Sequence, residues 1–185
     1  DFIKSNHSEW KIGLAGFHKP SDFILSNVWD LSLMVGTETN SYQGEKHGIK
    51  TFYTSCNPVR PNNFLAGDAN PAENIWIGWH ALQTGVDGFL RWAFDYWTVS
   101  DPSEQRVGSF TSGDFSFSYR SSNELDMEFY PAIRLELLRE GIEDYEKISI
   151  LKKELCVSDN QKDNDNYRRL CEMLENFSFN SLSTL

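Results

Sequence analysis

A buried strand and an amphipathic helix impose different spacings on apolar residues, and this chain switches between the two. Trp10 to Gly16, "WKIGLAG", is a short apolar run closed by glycine and followed by Phe17-His18-Lys19-Pro20, which predicts a strand feeding a loop. Ser21 is placed to cap a helical turn running through Asn27. Leu31 to Val35, "LSLMV", predicts a second buried strand ending at Gly36, and the polar stretch Thr37 to Gly48 is expected to hold a short helix. Ile49 to Ser55, "IKTFYTS", is a third strand by its β-branched and aromatic content. Pro58, Pro61, Asn62 and Asn63 then mark a long loop.

Pro71 opens a helix where its missing N–H costs nothing, and that helix is expected to run to Gly85 with enough apolar surface to be covered on more than one side. It leads into Gly88 to Phe94, a fourth strand that finishes in Asp95, Tyr96 and Trp97. Strand, helix and strand at this spacing predict a parallel sheet with helices packed on it, and function in such sheets collects at the carboxyl ends of the strands. Val99 to Ser122 is rich in Ser, Gly, Asp and Pro and reads as a decorated loop or hairpin with one strand at Phe115 to Tyr119. From Pro131 the spacing turns helical through Ile133, Leu135, Leu138 and Ile142, and Tyr145 to Leu155 continues it. A polar break at Val157 to Asp165 precedes a last amphipathic helix from Tyr167 to Phe177, and the tail from Ser178 is expected to fray.

Composition narrows the classes. At 185 residues the chain suits one domain or a piece of one. Its net charge of -10 argues against nucleic acid or an anionic membrane as partner, since either would be repelled at long range. The six Trp and an aromatic share of 14% exceed what a small core needs, and many fall in polar, loop-like context where flat faces suit sugar rings. Cys56, Cys156 and Cys171 have no metal-ligand spacing; Cys156 and Cys171 could pair, although reduced packing thiols fit an odd count better. No apolar run is long enough for a bilayer, and the chain opens at Asp1 without a signal-like segment, so a leader or an upstream domain is left open.

The segments "FYTSCNPVRPNNF", "GWHALQTGVDGFLRWAFDYW" and "RLELLREGIEDYE", in that order, resemble the carboxyl-terminal part of the catalytic domain of glycoside hydrolase family 123 over roughly Trp10 to Leu151. The resemblance implies an α/β fold, the carboxyl-terminal half of a (β/α)8 TIM-type barrel, over residues 1–150, with a helical extension over 151–185. It implies removal of terminal β-linked N-acetylgalactosamine from glycans by a substrate-assisted retaining mechanism. In that mechanism the sugar's acetamido oxygen attacks the anomeric carbon, an Asp orients the acetamide and an adjacent Glu protonates the leaving oxygen, an exception to the scheme with an enzyme nucleophile. The family carries this pair upstream of the segment matching "WKIGLAG", and no Asp followed directly by Glu occurs in this sequence. Glu124-Leu125-Asp126 and Glu143-Asp144 lie in a loop and a late helix and take no catalytic role. The implied partners are a glycan and the upstream half of the same barrel; no cofactor or metal is implied, and a secreted or periplasmic location fits the family.

Substrate contacts are expected where strands end. Asp95, Tyr96 and Trp97 would form a wall for a hexosamine ring, with Asp95 accepting a sugar hydroxyl, or else cap the barrel core. Trp92 shares a face with Phe94 by the period of two and either reaches the site or packs in the core. Tyr53 could hydrogen-bond the acetamido carbonyl or be satisfied by the loop after it. His18 could donate to a hydroxyl, although a single His in a loop is more often incidental. Asn62 could contact sugar or satisfy its own loop's backbone. The charged residues of the late helix, Arg134, Arg139, Glu140, Glu143 and Asp144, are assigned to ion pairing and capping between helices. Alternatively, the whole chain is a non-catalytic half-barrel that binds glycan on its aromatic cluster.

Overall fold

A computed structural model describes residues 2–37, 48–55, 70–96, 116–120 and 128–179. In chain order the elements are α1 (Phe2–Asn6), β1 (Gly13–Gly16), α2 (Asp22–Leu25), β2 (Asp30–Met34), β3 (Ile49–Tyr53), α3 (Ala72–Thr84), β4 (Gly88–Leu90), β5 (Ser118–Arg120), β6 (Phe129–Pro131), α4 (Ile133–Cys156) and α5 (Gln161–Glu175). The first four strands form one parallel sheet in the order β1-β2-β3-β4, and β5 and β6 form an antiparallel pair. The fold is therefore mixed α/β, as the alternating pattern predicts.

Register shows what each face of the sheet is for. Gly16, Leu33, Phe52 and Phe89 align across the four strands. Phe52 lies under α3, its ring 4.7 Å from His80 and 6.2 Å from Trp76. Val35, Ile77, Ala81 and Val86 complete this cluster, and Leu25, Val28, Leu31 and Leu33 form a second one beneath α2. Burying a ring such as Phe52 stabilises by about 1.5–3 kcal/mol, so these two clusters carry the fold. The opposite face is narrow: Ala15, Ser32, Thr51 and Gly88 align across it, with Met34, Tyr53 and Leu90 in the next row toward the carboxyl ends.

The helix layer is held by close approach. A Cβ on Gly78 of α3 would lie 1.9 Å from the Gly141 carbonyl oxygen of α4, so the two backbones touch where neither residue has a side chain. Beyond α5 the chain folds back onto α3: Trp76 Nε1 donates to the Phe177 carbonyl at 3.0 Å, and the Phe177 ring stacks on Trp79 at 4.5 Å. Thus α3 is covered by the sheet, by α4 and by the chain after α5, in line with its apolar content.

Several boundaries depart from the sequence reading. The strand expected from Trp10 begins only at Gly13, because Trp10 turns back, its N–H donating to His7 and its ring stacking on His7 at 4.5 Å. The strand expected to reach Phe94 stops at Leu90, since its partner β3 ends at Tyr53 and the following backbone pairs elsewhere: Phe117 N–H donates to the Phe94 carbonyl at 2.7 Å. Ser21 precedes α2 but its hydroxyl caps nothing. The break before the last helix covers only 157–160, because the Asn160 side chain caps α5 by accepting from Lys162 N–H at 2.9 Å. Nor is the tail loose as far as Phe179, whose ring packs into the α3 cluster. β5 starts at Ser118, later than Phe115, and β6 was not anticipated at all. The short helix expected within 37–48 lies outside the described residues, as does Cys56. Cys156 and Cys171 are free thiols on α4 and α5.

Candidate functional site

Because the four strands are parallel, their carboxyl ends share one edge of the sheet, and the sequence-predicted residues that are described meet that edge. Tyr53 is the last residue of β3, on the narrow face between Met34 and Leu90. Phe17, directly after β1, sets its ring edge-on to Tyr53 with centroids 6.2 Å apart, and Thr37 Oγ1 donates to the Phe17 carbonyl at 3.3 Å, tying the exits of β1 and β2. Burial pushes the Tyr53 phenol above its ordinary value, so at neutral pH it remains an O–H that can donate to a carbonyl oxygen. His18 lies next to Phe17 in the same exit, exposed to solvent.

The exit of β4 supplies the rest. Arg91 Nη1 donates to the Thr54 carbonyl at 2.6 Å, which clamps the chain leaving β4 to the chain leaving β3. The Trp92–Ala93 peptide is cis. Trp92 is 69% exposed, so it is not a core residue, and its ring lies 6.1 Å from that of Tyr96, which is also exposed. Phe94 packs against the buried Phe117 at 5.8 Å, on the way to Asp95, which bridges Ser116 in an antiparallel pair. The Ser116 hydroxyl donates to the Tyr96 carbonyl at 3.3 Å. Trp92, Asp95 and Tyr96 thus form one exposed rim, with an aromatic pair beside a carboxylate, the chemistry that suits a sugar ring with its apolar face and equatorial hydroxyls. Trp97 and Asn62 lie outside the described residues.

Sequence reasoning missed three groups here. Arg91, within the expected fourth strand, and Phe17, in the loop after the first, carry no sequence signal of their contacts. Arg134 was assigned to pairing between helices, and the structure corrects this: its guanidinium is buried and its Nη2 donates to the Ser116 carbonyl at 2.8 Å and to the Tyr119 hydroxyl at 3.3 Å. A signal existed, because Arg134 shares a helical stripe with Leu138, Gly141 and Tyr145, all directed at α3 or the core. Arg139 pairs with Glu136 at 2.7 Å and Glu143 with Lys147 at 3.2 Å, both within α4 and not between helices as expected, while Asp144 accepts from Trp79 Nε1 of α3 at 3.1 Å. Glu143 and Asp144 are therefore committed on the helix surface and away from the rim. Among the described residues no group of three His, Cys, Asp or Glu could hold a metal ion, and no helix is long and apolar enough to cross a membrane.

The family model described as "Glycoside hydrolase 123, catalytic domain" matches residues 1–151. Among solved structures, a family 123 glycoside hydrolase from Clostridium perfringens, reported for its glycolipid glycan hydrolysis, is similar with a TM-score of 0.61 and 23% sequence identity. The similarity covers 95% of this chain and 37% of that one, so the chain spans little more than a third of its relative's length, and at this identity the likeness speaks to the fold. No functionally curated protein matches. With the catalytic-domain model matched over residues 1–151 and the fold shared with a solved member, the chain belongs to glycoside hydrolase family 123.

Proposed function

We propose that this chain is the carboxyl-terminal half of a (β/α)8 barrel, residues 1–150 with a helical extension over 151–185, in an enzyme that removes terminal β-linked N-acetylgalactosamine. The observation that carries the reading is the shared edge where parallel strands deliver Tyr53, Trp92, Asp95 and Tyr96, in a sheet whose strand order follows chain order. A row of small residues on the face away from α3 suits a sheet that curves around a barrel interior.

In this reading the acetamido oxygen of the substrate attacks the anomeric carbon as the bond to the leaving oxygen breaks, and water later opens the cyclic intermediate with retention. The Asp that orients the acetamide and the Glu that protonates the leaving oxygen come from the upstream half, since no Asp followed directly by Glu occurs here. This chain supplies the walls. Tyr53 donates its phenolic proton to the acetamide and helps hold its oxygen for attack. The Trp92 and Tyr96 rings pack on the sugar's apolar face, and Asp95 accepts from a hydroxyl. His18 and, from the loop after β3, Asn62 are further contacts, and Trp97 extends the wall.

The test is hydrolysis of an aryl N-acetyl-β-galactosaminide by the longer parent protein, with the 185-residue chain assayed beside it. Turnover by the parent alone supports the reading, and Tyr53→Phe in the parent should then lower kcat/KM on the order of tenfold or more. Silence in both sinks the substrate assignment. The exposed Trp92 and Tyr96 favour one second reading, a non-catalytic glycan-binding half-barrel; saturable quenching of tryptophan fluorescence by N-acetylgalactosamine with no turnover in the parent would select it.

A further inference from the structure

The Asp95–Tyr96 rim has no secondary structure of its own. Among the described residues it meets a second segment, 116–119, through the Asp95–Ser116 bridge, the Ser116 hydroxyl on the Tyr96 carbonyl, Phe117 N–H on the Phe94 carbonyl and the Phe94–Phe117 ring contact. That segment is fixed to the helix layer at two points, Ala132 N–H donating to the Phe117 carbonyl at 2.8 Å and Arg134. Arg134 is only 8% exposed, and a buried guanidinium is retained only where its hydrogen bonds repay the loss of hydration. Its Nη2 donates to the Ser116 carbonyl and to the Tyr119 hydroxyl, and a charged planar donor on a carbonyl oxygen fixes the place of that backbone.

We infer that Arg134 is a positioning residue for the sugar-binding rim: standing in the first turn of α4, it sets where Ser116 lies and, through Ser116, where Asp95 and Tyr96 meet the substrate. The inference rests on the reading of that rim as a glycan contact. The chain of contacts runs from a rigid element to the site. α4 cannot shift easily, because Gly141, two turns further on, is in backbone contact with α3. A fixed helix, a planar donor and a carbonyl acceptor define a position more closely than a flexible loop does, and a displacement of about 1 Å in a substrate-holding group can cost on the order of 100-fold in rate.

The experiment has two arms. In the 185-residue chain labelled with 5-fluorotryptophan, the fluorine signal of Trp92, assigned by Trp92→Phe, is followed in Arg134→Met and Arg134→Lys, with the signal of Trp29, at the other end of the sheet, as reference. The expected result is a shift or broadening of Trp92 in Arg134→Met, its partial return in Arg134→Lys, and an unmoved Trp29. An unmoved Trp92 overturns the inference. If Arg134→Met unfolds, seen as collapse of every signal, Arg134→Gln replaces it and is read the same way. In the parent protein, Arg134→Met should lower kcat/KM for the aryl hexosaminide by about 10- to 100-fold. Combined with Asp95→Ala it should fall no further than about threefold below Asp95→Ala alone, since the two act through one contact; losses that multiply overturn the inference. A wild-type parent inactive on this substrate refutes the proposed substrate, and the fluorine arm still decides for Arg134.

Discussion

His80 places an imidazole inside the helix layer, 4% exposed, stacked on Trp76 and nearly perpendicular to the ring of Phe52. Burial lowers its pKa to about 4, opposed in part by the hydrogen bond to the Phe177 carbonyl. The folded value lies below the unfolded one, so between about pH 6.5 and 4 the unfolded chain takes up a proton that the folded chain refuses. The stability this residue supports is complete above about pH 6.5 and is lost as pH falls toward 4, on the order of 3 kcal/mol in all. Urea midpoints of wild type minus His80→Phe should therefore decline across that window; a difference independent of pH would refute it. Nothing in the spacing around His80 marks it as buried under aromatic rings, whereas Arg134 was legible in principle, sharing its stripe with Leu138, Gly141 and Tyr145. Charge normally marks the wet side of a helix, which points to ion pairing, and the sequence does not say that the guanidinium meets the Ser116 carbonyl 18 positions away.

At the scale of elements, α3 and α4 cross where Gly78 meets Gly141. A methyl group at either place must push the helices apart, so Gly141→Ala, whose Cβ would sit 2.7 Å from the Ile75 carbonyl oxygen, should cost about 1–3 kcal/mol. An unchanged thermal midpoint would show that the helices are free to separate. The same layer depends on the chain after α5. Ending the chain at Asn176 removes the carbonyl that Trp76 and His80 share and the ring on Trp79, and should shift tryptophan emission to the red and lower the urea midpoint. Emission and midpoint equal to wild type would mean that this contact is dispensable. Helices were the easier elements to read, since α3 and α4 carry their period over 13 and 24 residues. Strands of three to five residues give periodicity little to work on, and β4 ends where β3 ceases to offer hydrogen bonds, which is a property of the partner and not of "GFLRWAF".

For the molecule as a whole, the sheet has two outer strands, and among the described residues neither β1 nor β4 pairs on its outer side within that sheet. Beside β4 a groove of about 260 Å³ is lined by Phe89, Leu138, Ile142 and Tyr145. An unpaired edge next to an apolar groove favours association, although a charge of -10 opposes it, so the chain alone should sediment with a concentration dependence that increases with added salt. A monomer at every concentration and salt level would count against open edges, and with them against the half-barrel.

The amino-acid sequence by itself determined the order and type of the main elements, the parallel α/β class, and the place of Tyr53 near the end of its strand, because hydrophobic period and turn residues are local properties of the chain. The segments quoted from it also carried the family. Tertiary structure alone decided that Trp92 is exposed, that the rim rests on segment 116–119, that Arg134 reaches that segment, and that Phe177 closes over α3. The last three depend on contacts between residues from about 18 to about 100 positions apart, where the identity of a residue does not say which distant backbone it will meet.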